Sequence, residues 1–268
     1  MRVYVDGIGL LAPGLNGWPA SVAILSGAVS YETMPLVIPP LNLLPPAERR
    51  RTPTVVKLAL TVGSEALAHA GRPAIDVATV FTSSGGDGDV IHQICEALAE
   101  PAREVSPTRF HNSVHNAPAG YWGIATGCRE PSTSLCAYDA SFAAGLIEAA
   151  SQAHVERRTV MLIAYDSSYP EPLNAARPIS AGCGIAMLLS PERTTASMST
   201  MDVSVALGRR DTTTMLQPGL EDLRAGVPAG RGLPLLAAIA ARRSGAVFIP
   251  YLGESIVAAD VEPCLSTK

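Results

Sequence analysis

The chain has 268 residues, 47% hydrophobic and 16% charged, with a formal net charge of −4. That is enough apolar material for a well-buried core, and the basic residues are too scattered for a nucleic-acid or anionic-lipid surface. No stretch reaches the roughly 18 uninterrupted apolar residues of a membrane span, and "MRVYVDGIGLLAPG" is too broken to be a signal peptide, so the expectation is a cytoplasmic protein.

In chain order, "RVYVDGIGLL" predicts a first strand. The proline-rich stretch "YETMPLVIPPLNLLPPAE" (31–48) cannot hold regular structure and is expected to wrap the surface or a partner. A basic triplet, Arg49, Arg50 and Arg51, follows. Apolar spacing at Val56, Leu60, Val62 and Leu67, an initial proline and a terminal Gly71 predict a helix over 53–70. "VATVFTSS" (77–84), then "GGDGD", then "VIHQICEALAE" reads as strand, glycine turn and helix. The same unit recurs as "TSLCAY" leading into "ASFAAGLIEAASQAHV". Two continuous apolar runs, "TVMLIAY" (159–165) and "CGIAMLLS" (183–190), have the pattern of strands buried on both faces of a sheet. Beyond them, 195–268 is less regular, with a helix expected at "LPLLAAIAARR" and a strand at "GAVFIPY". Strands alternating with helices predict the α/β class: a mixed, mostly parallel sheet flanked by helices on both faces, in a single domain over 1–268.

Three segments invite chemistry. "SSGGDGD" (83–89) resembles a phosphate cradle, but its glycine spacing is wrong, it carries no lysine, and Asp87 and Asp89 would repel an anion; a tight turn is the better account, and no cofactor is expected. "RFHNSVHNAPAGYW" (109–122) is the densest polar and aromatic cluster. On one helix His111 and His115 would share a face, yet no acidic third ligand lies nearby and Pro118 interrupts the helix, so a polar structural network is favoured over a metal site. The five cysteines, Cys95, Cys128, Cys136, Cys183 and Cys264, show no CxxC pair, and most are expected to be buried, reduced thiols. Cys136 could be an acyl-accepting thiolate activated by a helix N-terminus and by His111 or His115. Against this, Asp139 stands at the expected helix start, where a carboxylate is itself a favoured cap, and a cysteine between Leu135 and Ala137 reads as a small buried hydrophobe in a strand.

"VSPTRFHNSVHNAPAGYW", "REPSTSLCAYDASFAAGLIEA" and "VMLIAYD", in this order, resemble the β-ketoacyl synthase chain-length-factor-like family. The resemblance spans roughly 1–192 and is strongest over 105–148. It implies the thiolase-like fold of the ketosynthase superfamily, two similar α/β halves, of which this chain carries mainly the first. Nothing after 192 resembles the histidine motifs of the second half. By position, "REPS" resembles the Arg-Gly-Pro-Ser of ketosynthases. Counting back from "GLIEAA" puts Asp139 where the family's nucleophilic cysteine stands, with Cys136 three residues upstream. Asn116, Ala119 and Gly120 match a dimer-interface segment.

The implied role is a non-catalytic subunit that pairs with a β-ketoacyl-ACP synthase and shapes its acyl tunnel in polyketide, aryl polyene or fatty acid biosynthesis. The interface and tunnel residues would be Phe110, His111, Asn112, His115, Asn116, Tyr121, Trp122, Tyr138, Asp139 and Phe142. The triplet Arg49, Arg50 and Arg51 would dock an acidic acyl carrier protein or form a solvated loop. Two alternatives remain: a Cys136-dependent acyltransferase or thioesterase, and a self-associating scaffold that forms a homodimer in isolation.

Overall fold

The computed structural model describes residues 1–40, 42–208 and 210–264; Leu41 of the proline-rich stretch lies outside them. β1 (Arg2–Ala12) turns into the short β2 (Leu15–Asn16) and leads to α1 (Trp18–Leu25). The described residues of the proline-rich connection have no regular structure until α2 (Pro46–Arg51), which begins on its last proline and contains the arginine triplet. There follow α3 (Thr54–Ala70), β3 (Ala78–Thr82), α4 (Gly88–Ala99), α5 (Pro107–Asn112), α6 (Ala117–Thr126), β4 (Ser132–Leu135), α7 (Ser141–Glu156) and β5 (Val160–Asp166). The chain continues through α8 (Leu173–Ala176), β6 (Cys183–Ser190), β7 (Ser199–Ala206), α9 (Pro218–Gly226), α10 (Leu233–Ala240), β8 (Gly245–Pro250) and β9 (Ile256–Pro263).

Among the described residues nine strands join one sheet in the order β4-β3-β5-β6-β1-β7-β9-β8, with β2 paired to β1. β3 runs parallel to β4 and to β5, whereas the pairings β5–β6, β6–β1, β1–β7, β7–β9 and β9–β8 are antiparallel. The sheet is therefore mixed, as expected, but its parallel part is confined to the βαβ units that the sequence made visible. The expectation of a mostly parallel sheet overreached because a strand buried on both faces is apolar throughout, whichever way its neighbours run.

Helices cover both faces. On one, α3 and α6 pack over Phe81, Met161, Ile163 and Tyr165; on the other, α7, α1, α9 and α10 pack over Val80, Leu162, Ile185 and Met187. The alternation along β5 follows from the two-residue period of a strand. α3 lies directly against β1. A Cβ at Gly7 would collide with the Ala66 carbonyl, and one at Gly9 with the Val62 carbonyl. This explains the glycines inside an otherwise apolar strand. Gly71, at φ 63°, closes α3 in the left-handed conformation that glycine adopts without cost.

The C-terminal part is more regular than expected. Residues 199–263 add three antiparallel strands to the same sheet, with α9, a 3-10 turn at Pro228–Gly232 and α10 folded back over α7 and α1. The expected helix and strand there are observed as α10 and β8. β7 and β9 escaped notice because their exposed polar residues interrupt the apolar pattern. The cysteine expectation also fails in part: Cys183 and Cys264 are buried, Cys128 is half-buried, and Cys95 and Cys136 are exposed.

Candidate functional site

The parallel strands β4, β3 and β5 end side by side at Leu135, Thr82 and Asp166. In open α/β sheets ligands sit in the crevice beyond such carboxyl ends. The chain after each strand builds this rim. After β3, Ser83–Asp87 forms the glycine turn and Asp87 caps α4, its side chain accepting from the Val90 N–H at 2.9 Å. After β4, Cys136 and Ala137 lead into a 3-10 turn, Tyr138–Ala140, which runs into α7. After β5, residues 167–182 cross the top of both turns, with only the single turn of α8 in them.

Asp166 is the buried anchor. Its carboxylate accepts from the Ser83 hydroxyl at 3.2 Å, the Ser84 N–H at 2.8 Å, the Ser84 hydroxyl at 2.7 Å and the Ala229 N–H at 2.9 Å. Burial raises its pKa above the ordinary carboxylate range, against the opposing pull of these donors. Burial likewise raises Asp87 and the fully buried Tyr165 hydroxyl, which has no hydrogen-bond partner among the described residues. The N–H of Ser84 is committed to Asp166 and that of Gly86 to the Ser83 hydroxyl at 3.0 Å, so those donors of the glycine turn point inward. This bears out the reading of "SSGGDGD" as a turn.

The β4–α7 turn is pinned by Ser141, whose hydroxyl accepts from the Ala137 N–H at 3.0 Å and donates to the Tyr138 carbonyl at 2.7 Å. The Thr82 hydroxyl holds the Ser141 carbonyl at 2.8 Å. Tyr138 takes a left-handed backbone, φ 52°, and is 58% exposed. Such a conformation costs a non-glycine residue on the order of 1 kcal/mol and marks a tightly determined turn. Asp139 does not cap the helix as expected: the N-cap of α7 is Ala140, without a side-chain cap. Its carboxylate pairs with Arg177 at 2.9 Å.

Arg177 joins the parts of the rim. It also donates to the Tyr169 hydroxyl at 2.9 Å and the Ser84 hydroxyl at 3.3 Å, and its guanidinium lies over the Tyr138 ring at 3.7 Å. A Cβ on Gly85 would collide with the Tyr169 hydroxyl, and one on Gly88 with the Tyr169 ring. The glycines of the turn thus seat a tyrosine.

Cys136 lies just past β4, exposed, with its thiol donating to the Ser84 carbonyl at 3.1 Å. The expectation of a buried strand cysteine is corrected: β4 is the sheet edge, and its side chains are only half covered. His115 reaches the Ser83 carbonyl at 3.2 Å, whereas His111 lies beside the Tyr121 ring. The two histidines are not on one helix, because 113–116 separate α5 from α6 and Pro118 sits in the first turn of α6. Among the described residues, no group of three His, Cys, Asp or Glu side chains is placed to hold a metal ion.

Of the expected interface residues, Phe110, His111, Asn116, Tyr138 and Asp139 are exposed and His115 is half-buried. Asn112, Tyr121, Trp122 and Phe142 are buried within this chain. The Tyr121 hydroxyl donates to Asn112 Oδ1, and Asn112 Nδ2 donates to the Arg51 carbonyl, tying α6, α5 and α2 together. On the outer side of α5 and α6 lies an apolar groove of about 470 Å³, walled by Phe110, Val114, Tyr121 and Ile124. Arg50, Arg51 and Arg109 border a separate polar groove that also contains Asp87 and Asp89. Sequence reasoning missed Tyr169 and Arg177, which carry no local signal. Asp166 had one, as a charge ending a long apolar run.

A family model described as the N-terminal domain of β-ketoacyl synthase matches residues 27–225. No curated protein sequence matches the chain. Among solved structures, it is similar to a chain in the complex of the ketosynthase ApeO with its chain length factor ApeC from Xenorhabdus doucetiae. The identity is 21% and the TM-score 0.74, with 97% of this chain and 99% of that one covered. The ishigamide ketosynthase/chain length factor gives 14% identity and a TM-score of 0.73, with 99% and 100% covered. AntDE:AntF, a type II polyketide synthase acyl-carrier protein in complex with its ketosynthase, gives 12% and 0.72, with 98% and 99% covered. At these identities the likeness establishes a shared fold.

Proposed function

Because the chain belongs to the β-ketoacyl synthase N-terminal-domain family, we propose that it is a chain-length-factor-like subunit. It pairs with a β-ketoacyl-ACP synthase, lines part of the acyl tunnel and does not condense by itself. The observation that carries this reading is the β4–α7 turn. At the position that the sequence resemblance assigns to the family's nucleophile stands Asp139, and its carboxylate is paired with Arg177. Decarboxylative condensation needs a thiolate to hold the acyl chain and donors to stabilise the developing oxyanion. An arginine-bound carboxylate supplies neither. The end-to-end match to chains from ketosynthase–chain length factor complexes supports the same reading.

The partner face would combine the outer edge of β4 with the groove on α5 and α6. Phe110 is 68% exposed, Val114 51% and Ile124 54%, and an edge strand is a ready template for pairing. Co-expression with a ketosynthase from the same gene neighbourhood, followed by gel filtration, is expected to give a one-to-one complex that Phe110→Asp disrupts. Failure to co-elute with any ketosynthase, or elution as a stable homodimer that excludes one, rejects the pairing in favour of a scaffold. The product class, polyketide, aryl polyene or fatty acid, belongs to that partner.

A carrier protein with an acidic recognition surface would meet Arg49, Arg50 and Arg51, beside which Arg109 adds a fourth positive charge. Replacing the triplet with alanine is expected to weaken carrier binding, and unchanged binding removes the docking role. The exposure of Cys136 favours one second reading, acyl transfer or thioester hydrolysis through its thiol. Mass spectrometry after incubation with an acyl-carrier thioester decides: an adduct on Cys136 supports it, and no adduct with no thioester loss ends it.

A further inference from the structure

The sheet ends in two edge strands, β4 on one side and β8 on the other. We propose that the beginning of β8 is a docking site for an extended peptide segment of another protein, which adds to the sheet as a further strand and carries an apolar residue followed two positions later by Asp or Glu. The proposal goes beyond the chain-length-factor reading and does not rest on it, because β8 lies at the opposite end of the sheet from β4.

One rung of this edge is made and the next is open. Backbone groups along an antiparallel strand face the paired strand and the free edge in alternation. Phe248 faces the free edge: its carbonyl accepts from the Thr213 N–H at 2.9 Å, and its N–H donates to the Thr213 hydroxyl at 2.9 Å. Ala246, two residues earlier on β8, faces the same way and is exposed. Among the described residues, neither its N–H nor its carbonyl has a hydrogen-bond partner. The chain that serves Phe248 is held off Ala246. The Met215 N–H donates to the Glu221 carboxylate at 2.9 Å, and the Gln217 side chain binds the Tyr31 N–H and the carbonyls of Ile24 and Val29.

The gap left by this detour is a cavity of about 250 Å³, walled by Ile24 and Leu25 of α1, Ala238 of α10, Leu216 and Val247. It lies on the face of the sheet toward which Val247 points, and Leu216 beside it is 89% exposed. Side chains alternate along a strand, so residues laid opposite Val247 and Gly245 both point to this face, and the one between them, opposite Ala246, points to the other. Among the described residues the one charged side chain in the wall is Arg243, just before β8, and it has no carboxylate partner. Glu221 is already paired with Arg224. A strand antiparallel to β8 passes Val247 first and Gly245 second. Its residue opposite Val247 therefore fills the apolar cavity, and the residue two further on meets Arg243. Main-chain bonds to Ala246 supply affinity and the two side-chain positions supply specificity, as in other additions to a sheet edge. A second copy of this chain fits less well: its own β8 brings no acid, and its Val247 is buried in its own core.

The test uses the full-length chain and two arrays of acetylated, amidated hexapeptides with Leu, Met or Phe at the third position, one array with Asp or Glu at the fifth and the other with Lys or Arg. The acidic array is expected to bind roughly fivefold more strongly, the scale of one solvent-exposed ion pair, and Arg243→Glu should reverse the preference. Ala246→Pro removes the free N–H without costing a bond to β9, so the variant should keep its circular dichroism spectrum. It is expected to bind the best peptide roughly tenfold more weakly, the usual loss for a main-chain hydrogen bond and the order that depends on it. N-methylation of the peptide's fourth residue, which lies opposite Ala246, should weaken binding in the same way. Absence of binding by both arrays, or equal binding of the two, overturns the proposal. So does binding that survives both Ala246→Pro and N-methylation, since the peptide then lies elsewhere. A dimer in sedimentation velocity that Ala246→Pro dissociates overturns it as well, because a second copy then holds the edge.

Discussion

Two strand-to-helix turns lie next to each other at the same edge of the sheet and solve the same problem in opposite ways. After β3, three glycines and Asp87 carry the chain into α4: the acid caps the helix, and the missing side chains make room for Tyr169. After β4 there is no glycine. The turn is made by Tyr138 in a left-handed conformation, Ser141 ties it from inside, and the acid, Asp139, points away from the helix toward Arg177. The difference shows that an aspartate before a helix says little about its role until its neighbours are known. Asp87 serves the backbone, whereas Asp139 serves a side chain from a segment nearly forty residues away.

The comparison breaks first at what both turns depend on. Asp166→Ala leaves the Ser83 and Ser84 hydroxyls and the Ser84 and Ala229 N–H groups without their acceptor in a buried site. The expected loss is about 3 kcal/mol or more, read as a lower urea midpoint. The pH dependence sharpens the point. The folded pKa of Asp166 is raised by burial, as are those of Asp87 and Glu65. A folded carboxyl with a raised pKa binds a proton that the unfolded chain releases. Its contribution is thus full below the unfolded value of about 4 and is lost as pH rises through the folded value. Asp166→Asn is expected to flatten the stability profile above pH 4 relative to the unaltered chain, as followed by melts between pH 4 and 8. An unchanged slope would mean that Asp166 titrates as an ordinary carboxyl.

Next comes the cap. Asp87→Ala removes the acceptor for the Val90 N–H at the start of α4, and a loss of about 1 kcal/mol is expected, the usual worth of an aspartate N-cap. Asp87→Asn should retain most of the stability, because an amide oxygen can accept the same bond. A larger loss with Asn than with Ala would assign Asp87 a charge-dependent role that the turn geometry does not contain.

Much of the fold was legible because it is local. The helix expected over 53–70 is observed at Thr54–Ala70, and the run 183–190 is β6 to the residue. The β-branched strand before the glycine turn and the helix after "CAYDA" were read from composition and period alone. Strand direction was not legible, since β6 reads the same whether its neighbours are parallel or antiparallel. Nor were β7 and β9, whose half-exposed faces carry Asp202, Ser204, Asp260 and Glu262 among the apolar residues. At the candidate site the sequence identified the turn and its acid but not the acid's partner. Arg177 lies in "EPLNAARPIS", a connection with no period and no motif, and its position over Tyr138 exists only in three dimensions.

The smallest expected effect is at Asp139 itself. The carboxylate is largely exposed, and the pair with Arg177 is open to water and salt. Its removal by Asp139→Ala should therefore change stability by no more than about 0.5 kcal/mol, unlike removal of the buried Asp166. A residue so cheap to replace can be exchanged for a cysteine. Asp139→Cys is expected to fold and to acquire a thiol that iodoacetamide labels, yet to form no condensation product from acyl- and malonyl-carrier thioesters when supplied alone. On the proposed reading, condensation also requires oxyanion donors and histidines that the partner would supply. Condensation by the Asp139→Cys chain without any ketosynthase would show that the turn already holds a complete site. In that case Asp139 alone would be what keeps the chain from condensing.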